Sequence, residues 1–204
     1  MARPRTFDEK QVLHAVRDQF WDAGYAATSL EDLMRVSGLG KGSLYAAFGD
    51  KHQLFLRALH SYTDDSHAAL QQALTEPPRA LDALRMLLEA PIDSADPRRG
   101  CLLANSTSEL GNADPEVLEH AHRAYEKSTA LIGECVARAQ REGDLPAEAD
   151  PIAVARALLA AQQGLVFMSR TGLDQTTLTA TARALAAQLL PDRLIAARRG
   201  SPSR

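Results

Sequence analysis

Along almost its whole length the chain repeats apolar side chains at helical spacing and nowhere alternates them, a period that builds helices and leaves nothing to pair as strands. Ala and Leu dominate, both strong helix formers, so the expected fold is all-α with about nine helices. The first is expected over about Phe7–Ala23, with Val12, Leu13, Val16 and Phe20 on one face and Gly24 stopping it. Thr28-Ser29-Leu30-Glu31 reads as a capping box, opening a short helix to about Val36. Ser37-Gly38-Leu39-Gly40 then suits a tight turn, and Lys41–Phe48 makes barely two helical turns. Two short helices joined by a glycine turn are the outline of a helix-turn-helix.

Behind this head, Asp50 and Gln53 are spaced as a second capping box, and Leu54, Phe55, Ala58, Leu59 and Tyr62 carry a long helix towards Thr75, ended by Pro77-Pro78. Leu81, Leu84 and Leu88 mark a fifth helix, Pro91–Arg99 reads as a loop, and a short sixth helix runs from Cys101 to about Leu110. Asp114-Pro115 and Asp150-Pro151 each set an N-cap before a proline at the first helical position, where the missing N–H costs nothing. A long helix starts at each. Leu178, Ala182, Leu185 and Leu189 define the ninth. Residues 1–50 are the expected helix-turn-helix domain, 51–192 a larger helical domain, and 193–204 a disordered tail.

Charge and composition narrow the function. A net charge of -3 does not suit a protein that coats DNA indiscriminately. Residues 1–60 nevertheless carry eight Lys or Arg against seven Asp or Glu, and Arg3 and Arg5 form a basic arm with no apolar run behind it, unlike a signal peptide. The longest apolar stretch, Ile152–Met168, is interrupted by Arg156, Gln162 and Gln163, so no membrane span is expected. Two cysteines, Cys101 and Cys135, are too few for a disulfide framework and fit a reducing cytoplasm. His120 and His122 point to different faces of a helix, so no metal site and no cofactor are expected.

The segment from Gly24 through Tyr25, Thr28-Ser29-Leu30, Leu33-Met34, Val36, Gly38-Leu39-Gly40-Lys41-Gly42-Ser43-Leu44-Tyr45, Phe48 and Lys51 closely resembles the DNA-binding head of TetR-family regulators, a likeness covering about residues 7–60. The resemblance implies that Lys41–Phe48 is a recognition helix lying in the major groove of double-stranded operator DNA. Lys41 would then meet phosphate or a guanine edge, and Gly42 would permit close approach. Ser43 and Tyr45 offer hydroxyls, while Thr28, Ser29 and Lys51 suit phosphate contact and Gly40 caps the helix. Gly40 stands where the family often has Ser or Thr, and Met34 where it usually has Ala. The first change weakens the cap by roughly a few tenths of a kcal/mol.

After residue 60 the likeness is architectural: bodies of that family bind a small-molecule effector and dimerise through their last two long helices. Leu178, Ala182, Leu185, Ala186 and Leu189 are the expected dimer stripe, the alternative being that the stripe packs only within its own subunit. The stretch Arg98–Asn105 resembles one in a branch of the family that includes electrophile-responsive repressors. Cys101, at an expected helix N-terminus beside Arg98 and Arg99, has the setting of a low-pKa thiol, although Leu102-Leu103 equally fits a buried small apolar residue. Cys135, on an apolar face, reads as core. Asn105, Gln162 and Gln163 are candidates for polar groups lining an apolar effector pocket, or for structural amides. The expected function is a homodimeric repressor released from its operator by a small-molecule or electrophilic effector. A cysteine-dependent enzyme is the competing class, and no Gly-x-Ser-x-Gly elbow, nucleotide loop or zinc motif accompanies it.

Overall fold

The computed structural model describes residues 7–90, 96 and 98–190, so the basic arm, most of the expected loop at 91–99 and the expected tail lie outside the described residues. Among these residues there are nine helices and no strand: α1 (Glu9–Ala23), α2 (Leu30–Ser37), α3 (Lys41–Phe48), α4 (Lys51–Thr75), α5 (Ala80–Glu89), α6 (Leu102–Leu110), α7 (Pro115–Arg141), α8 (Pro151–Arg170) and α9 (Gln175–Leu189). The fold is the expected all-α arrangement. It divides into two compact units, the first formed by residues up to Ser66 with Leu102–His122, the second by His67–Cys101 with the chain from Arg123 onward.

The first unit is therefore larger than the expected residues 1–50. It takes in the first part of α4, all of α6 and the start of α7, because Leu54, Phe55, Ala58 and Leu59 of α4 are buried in it together with Leu102, Leu103 and Val117. Val16, Phe20, Leu33, Leu44 and Phe48 fill the rest of this core. Each such fully buried side chain contributes about 1.5–3 kcal/mol. The Phe20 and Phe55 rings meet edge to face at 5.1 Å, and Tyr25 lies 5.0 Å from Phe55. Trp21, on α1, packs edge-on against Tyr62 of α4 at 4.9 Å.

Helix starts follow the local chemistry with one displacement. Asp8 caps α1 by accepting from the Lys10 and Gln11 amides, and Gly24, at φ +83°, ends it. The capping box of α2 is Ser29 with Asp32, one residue later than the expected Thr28 with Glu31. Thr28 is 1% exposed and its hydroxyl donates to the Gly24 carbonyl at 2.7 Å, so Ser29 is left at the helix entry. Asp50 and Gln53 do form their reciprocal pair, at 2.9 and 3.3 Å, before α4.

In the second unit, Ile132, Val136 and Ala139 of α7 meet Leu81, Leu84 and Leu88 of α5, Leu158 and Leu165 of α8, and Leu178 and Ala182 of α9 in one core. Asp150 starts α8 by accepting from the Ile152 amide, with Pro151 at the first position as expected. The Ala80 amide at the start of α5, which has no side-chain cap of its own, donates to Glu142 Oε2 at 2.8 Å. The stripe expected to meet a partner turns inward: Leu178 and Ala182 are buried, and Leu185, Ala186 and Leu189 pack against the same core while keeping partial exposure. One apolar face on a helix has to cover its own core before it can serve a partner.

α8 has the converse property. Its most apolar 18-residue window has a mean hydropathy of 1.4, yet only 22% of that window is buried, and Phe167 is 68% exposed. By length and composition alone α8 is long enough to cross a membrane, but Arg156, Gln162 and Gln163 interrupt it.

Candidate nucleic-acid interface

The helix-turn-helix is built from α2, a turn and α3. Gly38 takes φ +67° at the end of α2, a left-handed conformation that costs glycine nothing, and so lets the chain reverse within three residues. Gly40 is the N-cap of α3 and offers no side-chain oxygen, so the first-turn amides of α3 receive no cap bond from it. Leu44 and Phe48 are buried and fix one face of α3. Lys41, Gly42 and Ser43 are exposed in its first turn, and a Cβ added at Gly40 or at Gly42 would meet nothing within 4 Å. A bare helix end with a lysine, a hydroxyl and a glycine is a surface that a phosphate or a base edge can approach closely.

The other expected contacts are placed less uniformly. Tyr45 is half-buried, with Lys41 Nζ 5.9 Å from its ring centroid. Lys51 is half-buried and sets its ammonium 4.4 Å over the Tyr25 ring. Burial, then the negative charge of Asp50, pushes the Tyr25 phenol up, so that ring stays neutral. Ser29 is exposed, but its hydroxyl is spent in the cap, donating to Asp32 Oδ2 at 2.7 Å and accepting from the Asp32 amide at 3.1 Å. That hydroxyl, followed by Arg35, holds the Asp32 carboxyl down at about 2. Thr28 is buried and its hydroxyl is committed to Gly24, so the phosphate contact expected of its side chain is not open to it.

Sequence reasoning missed two anchors that hold this head. Glu109 of α6 accepts from the Tyr25 amide at 3.0 Å and the Ala26 amide at 2.7 Å, fixing the turn that leads into α2. The His52 ring on α4 lies 2.6 Å from the Asp114 carboxylate, whose other oxygen accepts from the Glu116 and Val117 amides at the start of α7. Burial pushes that carboxyl up, but the hydrogen bonds from His52 and from the two amides outweigh it, and the group is held below its usual range. The residues in each pair are more than sixty positions apart, and no local signal joins them.

The expected effector residues do not gather in one unit. Asn105 stands half-buried on α6 in the first unit, whereas Cys101, Gln162 and Gln163 belong to the second. The two glutamines are half-buried and bonded to each other at 3.0 Å. Cys101 is half-buried just before α6, after Gly100 at φ +68°. Burial, followed by the neighbouring Cys101, pushes the Tyr125 phenol up to about 12. Cys135 is core as expected: its thiol donates to the Ala80 and Leu74 carbonyls at 3.6 and 3.8 Å, and burial raises its pKa. The second unit also holds a cavity of about 220 Å³, lined by Gln71, Leu74, Leu131, Cys135 and Arg138 among others. None of the expected effector residues lines it.

Comparison with known proteins places both parts of the chain. A family model described as "Bacterial regulatory proteins, tetR family" matches residues 12–58, and one described as "Tetracyclin repressor-like, C-terminal domain" matches residues 80–185. The uncharacterized HTH-type transcriptional regulator YezE of Bacillus subtilis is 32% identical over 182 residues, which cover 87% of this chain and 94% of that protein. The HTH-type transcriptional repressor ComR of Escherichia coli is 26% identical over 174 residues, 83% of each chain. Among solved structures, a cysteine-substituted form of the regulator CifR in complex with a 26-base-pair double-strand operator superposes with a TM-score of 0.78. It is 28% identical, over 90% of this chain and 98% of that one.

Proposed function

The chain is a transcriptional regulator of the TetR family, and from that premise we propose that it acts in the cytoplasm as a homodimeric repressor, released from its operator by a small-molecule effector. The observation that carries the DNA-binding part is the first turn of α3, where Lys41, Gly42 and Ser43 are exposed with open space beyond Gly42 while Leu44 and Phe48 lock the helix from behind. In the proposed complex α3 enters the major groove. Lys41 and Ser43 reach phosphate or base edges, Tyr45 adds a hydroxyl, and Gly40 brings bare amides to the backbone. Lys51 and Ser29 flank the groove. Thr28 serves by fixing the turn rather than by touching DNA.

The test is a double substitution, Lys41→Ala with Tyr45→Phe, read by binding to a duplex that the unaltered chain selects from a random pool. Operator affinity is expected to fall by about tenfold or more at fixed salt, each lost base contact being worth roughly 1–3 kcal/mol. The melting temperature should stay unchanged. Equal affinity before and after would remove α3 from the interface.

The dimer part of the proposal rests on α8, which keeps Ile152 and Phe167 exposed on an otherwise apolar helix. A second copy related by a two-fold axis would cover it. Leu185, Ala186 and Leu189 retain enough exposure to contribute, whereas Leu178 and Ala182 do not. The effector site we propose is in the second unit, supported by the cavity of about 220 Å³ that Leu74, Leu131 and Cys135 help to line. It must bind better to a conformer whose two heads are wrongly spaced for successive major grooves, so that effector and operator oppose each other by linkage. For an electrophilic effector, Cys101 is the thiol to test. If Cys101→Ser abolishes release by a thiol-reactive compound such as N-ethylmaleimide, the cysteine is the sensor; release by the variant at the unaltered dose excludes it.

A further inference from the structure

We infer that Arg57 is a positioning residue for base reading: it fixes the C-terminal end of α3, and with it the angle at which Lys41, Gly42 and Ser43 are presented. The inference rests on the reading of α3 as the DNA-reading helix. Arg57 lies on α4 and joins three elements at once. Its Nη1 donates to the Ala47 carbonyl in the last turn of α3 at 2.9 Å. Its Nη2 lies 3.3 Å from Glu9 Oε2 in the first turn of α1. Its guanidinium carbon sits 4.8 Å from the centroid of the Phe48 ring.

The physical need for such a clamp comes from the length of α3. Eight residues make little more than two turns, too few for a helix to hold itself in water. The last carbonyls of any helix lack partners within it. In α3 the Gly49 amide answers Tyr45, at 3.0 Å, and Arg57 answers Ala47. A cation at a helix C-terminus is also favoured by the helix dipole. The planar fork does what an ammonium cannot, pointing two donors in different directions while its face lies on an aromatic ring.

Leu44 and Phe48 settle which face of α3 is buried, but a helix held only by two apolar side chains can still tilt about Phe48. Lys41 lies about 10 Å along the axis from that end. A tilt of about 10° therefore moves it by roughly 2 Å, enough to break a hydrogen bond to a base edge. Phosphate contacts made by long flexible side chains tolerate such a shift better than base contacts do. Loss of Arg57 should accordingly damage discrimination more than general affinity.

The experiment uses the full chain, a duplex selected by the unaltered protein from a random pool, and a scrambled duplex of the same length, each titrated at several salt concentrations. For Arg57→Ala the expected result is an operator affinity lower by about tenfold or more, with binding to the scrambled duplex and the salt slope unchanged. The ratio of the two affinities then falls. Arg57→Lys, which keeps the charge and loses the fork, should recover little of that ratio. Three outcomes overturn the inference. Equal weakening on both duplexes with a salt slope shallower by about 0.9 would make Arg57 a phosphate contact. Equal weakening with a lowered melting temperature would make its role one of stability only. Unchanged affinity for both duplexes would deny it any role. Should Arg57→Ala not fold, Arg57→Lys is read by the same ratio. If the unaltered chain selects no duplex, the DNA-reading role of α3 fails, and this inference with it.

Discussion

Leucine in place of Gly42 is expected to abolish selective DNA binding while leaving the head folded, and even slightly more stable. Gly42 lies in the first turn of α3, is exposed, and has nothing within 4 Å of where a Cβ would stand. The fold therefore has room for the larger side chain. A helical glycine is worse than alanine by about 0.8–1.0 kcal/mol, so filling this position should raise stability by something under about 1 kcal/mol. DNA has no such room. The major groove is about 12 Å wide, and a helix with its side chains measures about 10–12 Å across, so an added isobutyl group on the groove face holds the helix off the bases. With the base contacts gone, operator affinity should approach that for a scrambled duplex, a loss on the order of a thousandfold or more. Fluorescence anisotropy at fixed salt reads the loss, and thermal unfolding reads the intact fold. Wild-type affinity in the variant would mean that the first turn of α3 faces away from DNA.

The second large effect is expected at Phe167. Its ring is 68% exposed on a helix whose apolar window is only 22% buried, and replacing it by glutamate sets a charge where a partner's apolar surface should lie. A stable interface buries about 800 Å² per partner and depends on a few large central side chains. Two-fold symmetry brings the substitution in twice, and an unpaired charge taken out of water costs several kcal/mol. Phe167→Glu should therefore weaken dimerisation by at least about a hundredfold and yield monomers at micromolar concentration by sedimentation equilibrium. Operator binding should weaken as well, because a lone head engages one half-site and loses the effective concentration that the second head supplies. A variant that remains a dimer with full operator affinity would move the interface away from this part of α8.

The helices and their ends were legible because they are local. Gly24, the Asp50–Gln53 pair, Asp114-Pro115 and Asp150-Pro151 act on amides and carbonyls within four residues, and the chain itself supplies the partner. The displaced cap of α2 shows where that reading stops. Thr28 and Ser29 are both good caps by chemistry, and the choice between them was made when Thr28 was buried against the Gly24 carbonyl, a packing event with no trace in the order of residues.

The candidate interface divides along the same line. Lys41, Gly42 and Ser43 were singled out by the resemblance of the segment around them to the TetR-family head, and the structure leaves them exposed in the first turn of α3. The groups that hold α3 and its approach in place, Glu109, Arg57 and the His52–Asp114 pair, were not found, since each reaches an element that local spacing does not indicate.

By itself, then, the sequence determined the all-α class and the order and approximate extents of the helices, governed by the helical repeat and by bonds within one turn. Tertiary structure alone decided where each apolar face goes. It drew the first part of α4 into the head, turned Leu178 and Ala182 of α9 into their own core, and left Phe167 of α8 uncovered. The physical reason is that periodicity states that a face must be buried, whereas the choice of what buries it depends on volumes and shapes brought together from distant parts of the chain.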